Sequence, residues 1–473
     1  MAFANIGAVM RAPLKLGTLA CFSLVIAGCG GGSGTDAGET GISMSSLGTM
    51  SNSNTNGETS DSNSSEDNGD GDPTGDGDPT GDGDPTGDGD PTTTGNGPKW
   101  DLGGLPDSNL PCGGGGEFGD GEADFSYIWI ANSSQGTMTK LNTETMIEEG
   151  RYWVRPDHGG SPSRTTVALS GNVAISARTN GGGVTKVWAD LEDCVESNGM
   201  GGLQTSTGAN DILEWDVEEC RAWHQPFPGK NYWSNRPMAW APGDFNEGFC
   251  EWQDEKLWTS GSISGVGTEV LLLNGDTGDI EETVDIPVVG TSYLYGGAVD
   301  GDGNFWGLQN SSRIIRVDRE DFTVQDWSLP GGPGYGIAVD SQDRIWTCGG
   351  GHASRFDPQT QQWQSTPNAS SGIGGCMTDG NGTLYHSRYS QGVIIAIDTD
   401  TVTPYYEYAI PAYVHGISID FSGNVWGVTF SGSQAFRLNP ETEVVDTYGG
   451  LIGAYTYSDM TGFGLSSVSG AAG

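Results

Sequence analysis

Four stretches in the C-terminal half repeat one pattern: YGGAVDGDGNFWG (295–307), YGIAVDSQDRIWT (335–347), GGCMTDGNGTLYH (374–386) and HGISIDFSGNVWG (415–427). Each runs from a glycine through an apolar segment to an aspartate, a turn and an aromatic residue. The leading glycines, Gly296, Gly336, Gly375 and Gly416, are 40, 39 and 41 residues apart. Asp300, Asp340, Asp379 and Asp420 lie four residues on, and Trp306, Trp346, Tyr385 and Trp426 six further. Alternation on both sides of a Gly/Asn/Asp turn marks a β-hairpin. Strands such as SRIIRVDRE (312–320) and GVIIAIDTD (392–400) follow, then outer strands such as TVQDWSLP (323–330) and TPYYEYAIP (403–411). Four short strands per unit at a period near forty predict a β-propeller blade.

The pattern extends towards the N-terminus in less regular form. Residues 125–154 offer three strands around Trp129, residues 163–191 a second unit, and residues 255–287 a third around Trp258. Residues 124–467, less an insertion at 190–232, leave about 300 positions, or seven units of about 43. The expected fold is therefore all-β, a seven-bladed propeller of four-stranded antiparallel blades. The first unit lacks an innermost strand, and YSDMTGFGL (457–465) resembles one with nothing after it. This C-terminal strand is expected to complete blade one and so remove an exposed sheet edge. The same alignment places Thr461 opposite Asn132, with 468–473 as a tail. The repeated tryptophans are expected to be wedges between blades.

The N-terminal quarter is of another kind. Arg11 and Lys15 precede the apolar run LGTLACFSLVIAG, which ends at Cys29, the layout of a secretory signal over residues 1–28. Ile26-Ala27-Gly28-Cys29 resembles the bacterial lipobox, which implies cleavage before Cys29 and lipidation of its thiol. Residues 29–98 carry GDGDPT repeats, 14 acids and no base. With almost no large apolar side chains, such a tether cannot offset its ordering entropy. Residues 99–123 form a lead-in. The expected location is the cell envelope, extracytoplasmic at the outer membrane or cell surface, with the lipid on Cys29 as the membrane contact.

Charge narrows the function classes. The chain is 473 residues long with net charge −42, from 62 acidic and 20 basic residues. Residues 99–473 alone carry 48 acids against 18 bases. Phosphate backbones demand a positive footprint, so a nucleic-acid partner is not expected. Beyond Cys21 and Cys29, six cysteines remain, and six in an exported chain point to three disulfides. Fifteen connectivities are possible, and the expected one has Cys194 with Cys220 closing the insertion, worth roughly 3 kcal/mol by loop-closure entropy. Cys348 with Cys376 joins neighbouring blades, and Cys112 with Cys250 follows by elimination.

Hairpin register sets which residues meet at the channel mouth. An Asp420–Asn424 turn places His415 opposite Thr429, and the other blades present Tyr295 with Gln309, Tyr335 with Gly349 and Gly374 with Arg388. Tyr295, Gln309, Tyr335, His386, Arg388, His415 and Thr429 are the candidate mouth residues. They make a cationic, aromatic patch on an acidic protein, suited to an anionic or carbohydrate-like small molecule, a glycan or a peptide turn of a protein ligand.

Over residues 290–450, and less closely over 124–289, the repeat resembles that of the virginiamycin B lyase (streptogramin B lyase)-like seven-bladed propellers, whose blades carry HGI…D…G…WFTE. The resemblance implies opening of a cyclic depsipeptide lactone by elimination, with a Mg²⁺ ion at the mouth. It also implies a histidine before the repeat glycine as general acid or base, and a glutamate three residues after the repeat tryptophan beside the metal. His415 occupies the histidine position. The glutamate position holds Gln309, Gly349, Arg388 and Thr429. Magnesium requires hard oxygen ligands, usually with a carboxylate among them. A second candidate ion is Ca²⁺ in the insertion, where Glu196 and Asn198 resemble the first positions of an EF-hand loop whose later ligands are degenerate.

The expectation is thus a monomeric, lipid-anchored binding propeller without catalysis. The alternative is a metal-dependent lactone-opening lyase with a degenerate or rearranged site.

Overall fold

The computed structural model describes residues 126–246, 251–309, 312–330, 334–349, 352–366, 374–388 and 391–470. The signal, Cys29, the tether, the lead-in, Cys112 and Cys250 lie outside the described residues. The remainder forms seven antiparallel blades, six of four strands each and one of three. Blade one comprises Tyr127–Asn132, Thr137–Asn142 and Glu148–Trp153. Innermost strands of the others are Pro162–Val167, Tyr232–Ala241, Gly296–Val299, Gly336–Val339, Cys376–Thr378 and Val414–Ile419.

The repeat residues explain themselves at the turn end of each blade. In blade four, Asp300 Oδ1 accepts the Asn304 N–H (3.0 Å), and Oδ2 accepts the Trp306 indole N–H (2.8 Å). Asp340 does the same for Arg344 and Trp346, and Asp420 for Asn424 and Trp426. One carboxylate thus closes the turn and orients the ring that follows. Trp258, Trp306, Trp346 and Trp426 are at most 1% exposed. Burying such a ring removes about 200 Å² of surface, or roughly 5 kcal/mol of transfer free energy. Trp426 packs with Ile128 and Ile130 of blade one, so a wedge also seals the ring seam.

The leading glycines answer to close approach. A β-carbon at Gly416 would lie 2.2 Å from the Thr456 carbonyl oxygen, and one at Gly375 2.7 Å from that of His415. Neighbouring innermost strands crowd the axis there, and only hydrogen fits.

Ring closure takes place in a different register from the one expected. Ala454 bridges Asn132, the Tyr455 N–H reaches Ala131 O (3.2 Å), and the Trp129 N–H reaches Met460 O (2.9 Å). Residues 454–460 therefore fill the inner position of blade one as an irregular extended segment. Thr461 does not face Asn132. At Gly462 (φ 89°) the chain turns into a helix, Phe463–Ser469, which Asp459 caps by accepting the N–H groups of Gly462 (3.0 Å) and Leu465 (2.8 Å). A glycine in the left-handed region permits that turn, which a continuing strand would not make. Phe463 meets Phe421, and Val468 lies against Gly301, so the helix covers the turn end of the channel.

The insertion also falls elsewhere than expected. It lies within blade two, between Val184–Val187 and Arg221–Gln225, and the latter is that blade's outer strand. Its Ser206 Oγ accepts the Arg151 N–H (3.0 Å), covering the outer edge of blade one. Cys194 pairs with Cys220 and Cys348 with Cys376. The second bond ties blade five to blade six.

Candidate functional site

The mouth end carries the chemistry. Tyr295, Tyr335 and His415 come together there, joined by Tyr455 and Tyr457 of the closing segment and by Arg164, Arg178 and Arg236 of blades two and three. The Tyr335 and Tyr455 hydroxyls are 2.7 Å apart, and the Tyr295 hydroxyl bonds both. His415 Nε2 contacts the Tyr335 hydroxyl and Nδ1 the Tyr413 hydroxyl (2.6 Å). Burial, reinforced by Arg164, pushes the His415 imidazole down to about 3, so it is neutral at physiological pH.

Arg164 is wholly buried on the axis. It donates to Ser163 O (2.7 Å) and Tyr295 O (3.3 Å), and its guanidinium lies 3.7 Å from the centre of the Tyr457 ring. Arg178 donates from Nε and Nη2 to Ser161 Oγ (3.1 and 2.7 Å) and lies 4.7 Å over Tyr455. Arg236 donates to Ser234 Oγ (3.2 Å) and lies 4.9 Å over Tyr295. Among the described residues none of the three forms an ion pair, and Arg164 Nε and Arg236 Nη1 have no hydrogen-bond acceptor. Burial and then the charges of Arg236 and Arg164 hold Arg178 below the usual arginine range. Ring faces offset part of this repulsion, each about 1–2 kcal/mol where desolvated. Burial acts to raise the Tyr455 phenol. Arg164, the hydroxyls of Tyr295 and Tyr335, and Arg236 outweigh it and bring the phenol down to about 8.

These side chains crowd the mouth end of the channel, and a cavity of about 40 Å³ lies deeper, among Thr166, Val299, Val339, Met377 and Leu465. Outside the mouth cluster, between blades seven, one and two, lies a recess of about 240 Å³ bordered by Ser134, Ser161, Arg178, Phe430, Ser431 and Tyr455.

The other candidate residues are placed away from this cluster. His386 is fully buried within blade six, its Nδ1 3.3 Å from Gly375 O, and burial lowers it to about 4. Arg388 pairs with Glu407 on that blade's outer strand. Gln309 bonds Ser312, and Thr429 bonds the backbone of Gln434, so both serve turns. Thr429 pairs with Val414, and His415 is the bulged residue between Val414 and Gly416. That bulge aims the ring into the cluster rather than across the ladder.

Register identifies what sequence reading missed. Arg164 pairs Ser176 three residues in from Val167–Val173, as Gly296 pairs Leu308 in from Val299–Phe305. Arg164 therefore stands at the repeat-glycine position. Ala239 pairs Trp258 as Ala298 pairs Trp306, and Arg236 lies three residues before Ala239 as Tyr295 lies before Ala298, in the bulge between Met238 and Asn235. An arginine in either place of the degraded early blades was the available signal.

The donor set does not fit magnesium, since guanidiniums and phenols surround the position and no carboxylate bonds them among the described residues. In the insertion, Glu196 accepts the Gly199 N–H (2.9 Å) and Asn198 Oδ1 that of Met200 (2.8 Å). Glu219 organises this loop by accepting the N–H groups of Ser197, Asn198 and Gln204. Among the described residues no group of three or more His, Cys, Asp or Glu side chains is placed to hold an ion.

No protein-family model matches the chain, and no curated protein matches it in sequence. Similar solved structures include virginiamycin B lyase from Staphylococcus aureus, 17% identical over 41% of this chain and 67% of that one, with a TM-score of 0.36. A catalytically inactive form of that enzyme with quinupristin is 15% identical over 68% of this chain and 87% of that one, TM-score 0.44. A functionally unknown protein from Desulfotomaculum acetoxidans is 11% identical over 70% of this chain and 100% of that one, TM-score 0.49. The chain is thus similar to virginiamycin B lyase-like propellers, a likeness of fold alone.

Proposed function

We propose that this chain is a lipid-anchored, extracytoplasmic propeller that binds a ligand at its channel mouth and performs no chemistry on it. The observation that carries this reading is the convergence of three unpaired guanidiniums and a bonded tyrosine cluster beside an open recess. Buried donors without acceptors and like charges without counter-ions destabilise a fold, and such arrangements concentrate where a ligand completes them. The two disulfides and the signal-like N-terminus support export, because such bonds persist in oxidising compartments.

The test pairs binding with chemistry. The mature chain is heated with Mg²⁺, with Ca²⁺ and with panels of small acids, sugars and peptides. It is also incubated with a cyclic depsipeptide lactone and Mg²⁺, and the product mass is followed. A midpoint raised by a panel compound, with the lactone intact, supports binding. Lactone opening that stops in His415→Ala sinks the reading in favour of a lyase.

A further inference from the structure

Resting on that reading, we infer that the recess beside Arg178 takes a small monoanion with an apolar body, its carboxylate on Arg178 and its body on Phe430. The recess is positive where the protein is not. The chain has 62 acids, yet none pairs with Arg164, Arg178 or Arg236 among the described residues. Ser161 Oγ accepts from Nε and Nη2 of Arg178, which borders the recess and has no carboxylate partner among the described residues. A guanidinium held in place by two bonds is pre-organised for a planar carboxylate.

The backbone of the recess is strained in the same place. Ser161 (φ 47°) and Ser431 (φ 53°) adopt the left-handed region that side chains avoid, two of twelve non-glycine residues among the described residues that do so. Left-handed non-glycine residues cluster at ligand sites, where surrounding structure enforces them. Here they turn Ser161, Ser431 and their loops around Arg178.

The apolar wall decides the rest of the ligand. Phe430 is 50% exposed, and its ring lies 5.3 Å from Tyr455 and 4.7 Å from His415. A volume of about 240 Å³ corresponds to roughly eight waters, enough for a carboxylate on a single ring or a short chain. The net charge of −42 repels polyanions at long range, so one negative charge is the favoured valence.

The experiment is isothermal titration of the mature chain at low salt with benzoate, the neutral isostere benzamide, and acetate. Benzoate is expected to bind on the order of tenfold or more tightly than benzamide. Arg178→Gln should abolish that preference. Phe430→Ala should weaken benzoate and leave acetate unchanged. The wild-type fold of each variant is checked by an unfolding midpoint that does not fall, and Arg178→Lys, which keeps the charge, should restore part of the preference. Equal binding of benzoate and benzamide, or a preference that survives Arg178→Gln, overturns the inference but leaves a mouth ligand in place. Absence of binding by all three acids and amides overturns it as well, and the wider panel of sugars and peptides then decides whether the mouth binds anything.

Discussion

At the turn end of blades four, five and seven one carboxylate holds the same two groups, a backbone N–H four residues on and an indole six residues on. At the mouth end, the corresponding positions present Tyr295, Tyr335 and His415, and blade three brings Arg236 from a bulge. Repetition at the turn end is what a ring of equivalent wedges requires, because every seam needs the same packing. A recognition surface requires the reverse. Identical groups around one axis would place like charges or like rings together with no means of orienting a ligand. Departure from the repeat, rather than the repeat itself, therefore locates the site.

The largest expected effect breaks the turn end. Trp426→Ala should lower stability by about 3–5 kcal/mol, read from urea unfolding, since it leaves a cavity at the seam between blades seven and one. Arg178→Gln, at the mouth, should hold or slightly raise the midpoint, since it relieves the repulsion among Arg164, Arg178 and Arg236. Similar losses from the two would erase the distinction between the ends.

A smaller effect sharpens it. Gly416→Ala should cost about 1–3 kcal/mol, because its β-carbon meets a backbone oxygen that cannot move without shifting the closing segment. Gly449→Ala, whose β-carbon meets nothing within 4 Å, is the control. An innocuous Gly416→Ala would mean that the innermost strands are not held at this spacing.

The smallest effect is spectroscopic. One phenol, that of Tyr455, should ionise near pH 8, seen as a rise in absorbance at the phenolate band and lost in Tyr455→Phe. Its folded pKa lies below the usual tyrosine value, so ionisation begins to favour the folded state as pH rises through about 8, does so fully above the ordinary tyrosine value, and adds little at neutral pH. The groups facing it are Tyr295, Tyr335, His415, Arg164, Arg178 and Arg236. Because the phenolate would neutralise the arginines, benzoate affinity should fall as pH rises through 8. A titration showing no phenolate below the ordinary tyrosine range would remove the electrostatic account of the mouth.

Legibility followed local patterning. Gly296, Asp300 and Trp306 and their counterparts were readable because spacing along one hairpin defines them. Blade three's innermost strand was missed because Arg236-Pro237 replaces the residues that mark the repeat elsewhere. The insertion expected at 190–232 takes in the outer strand of blade two because RAWHQ follows a disulfide loop rather than a turn. Of the candidate mouth residues, Tyr295, Tyr335 and His415 reached the cluster. His386 and Arg388 were drawn off by burial and by Glu407, neither visible in a hairpin alignment.

The amino-acid order alone settled the blade count and the wedge residues, because each depends on short-range periodicity that a strand must obey, whereas the fold selected Cys194–Cys220 and Cys348–Cys376 from the fifteen pairings six cysteines allow. Only the closed ring decided that Arg164, Arg178 and Tyr455 share one space. Residues about 290 positions apart meet there through the seam between first and last blades, and charge, burial and the lowered Tyr455 phenol arise from that encounter, not from any one segment.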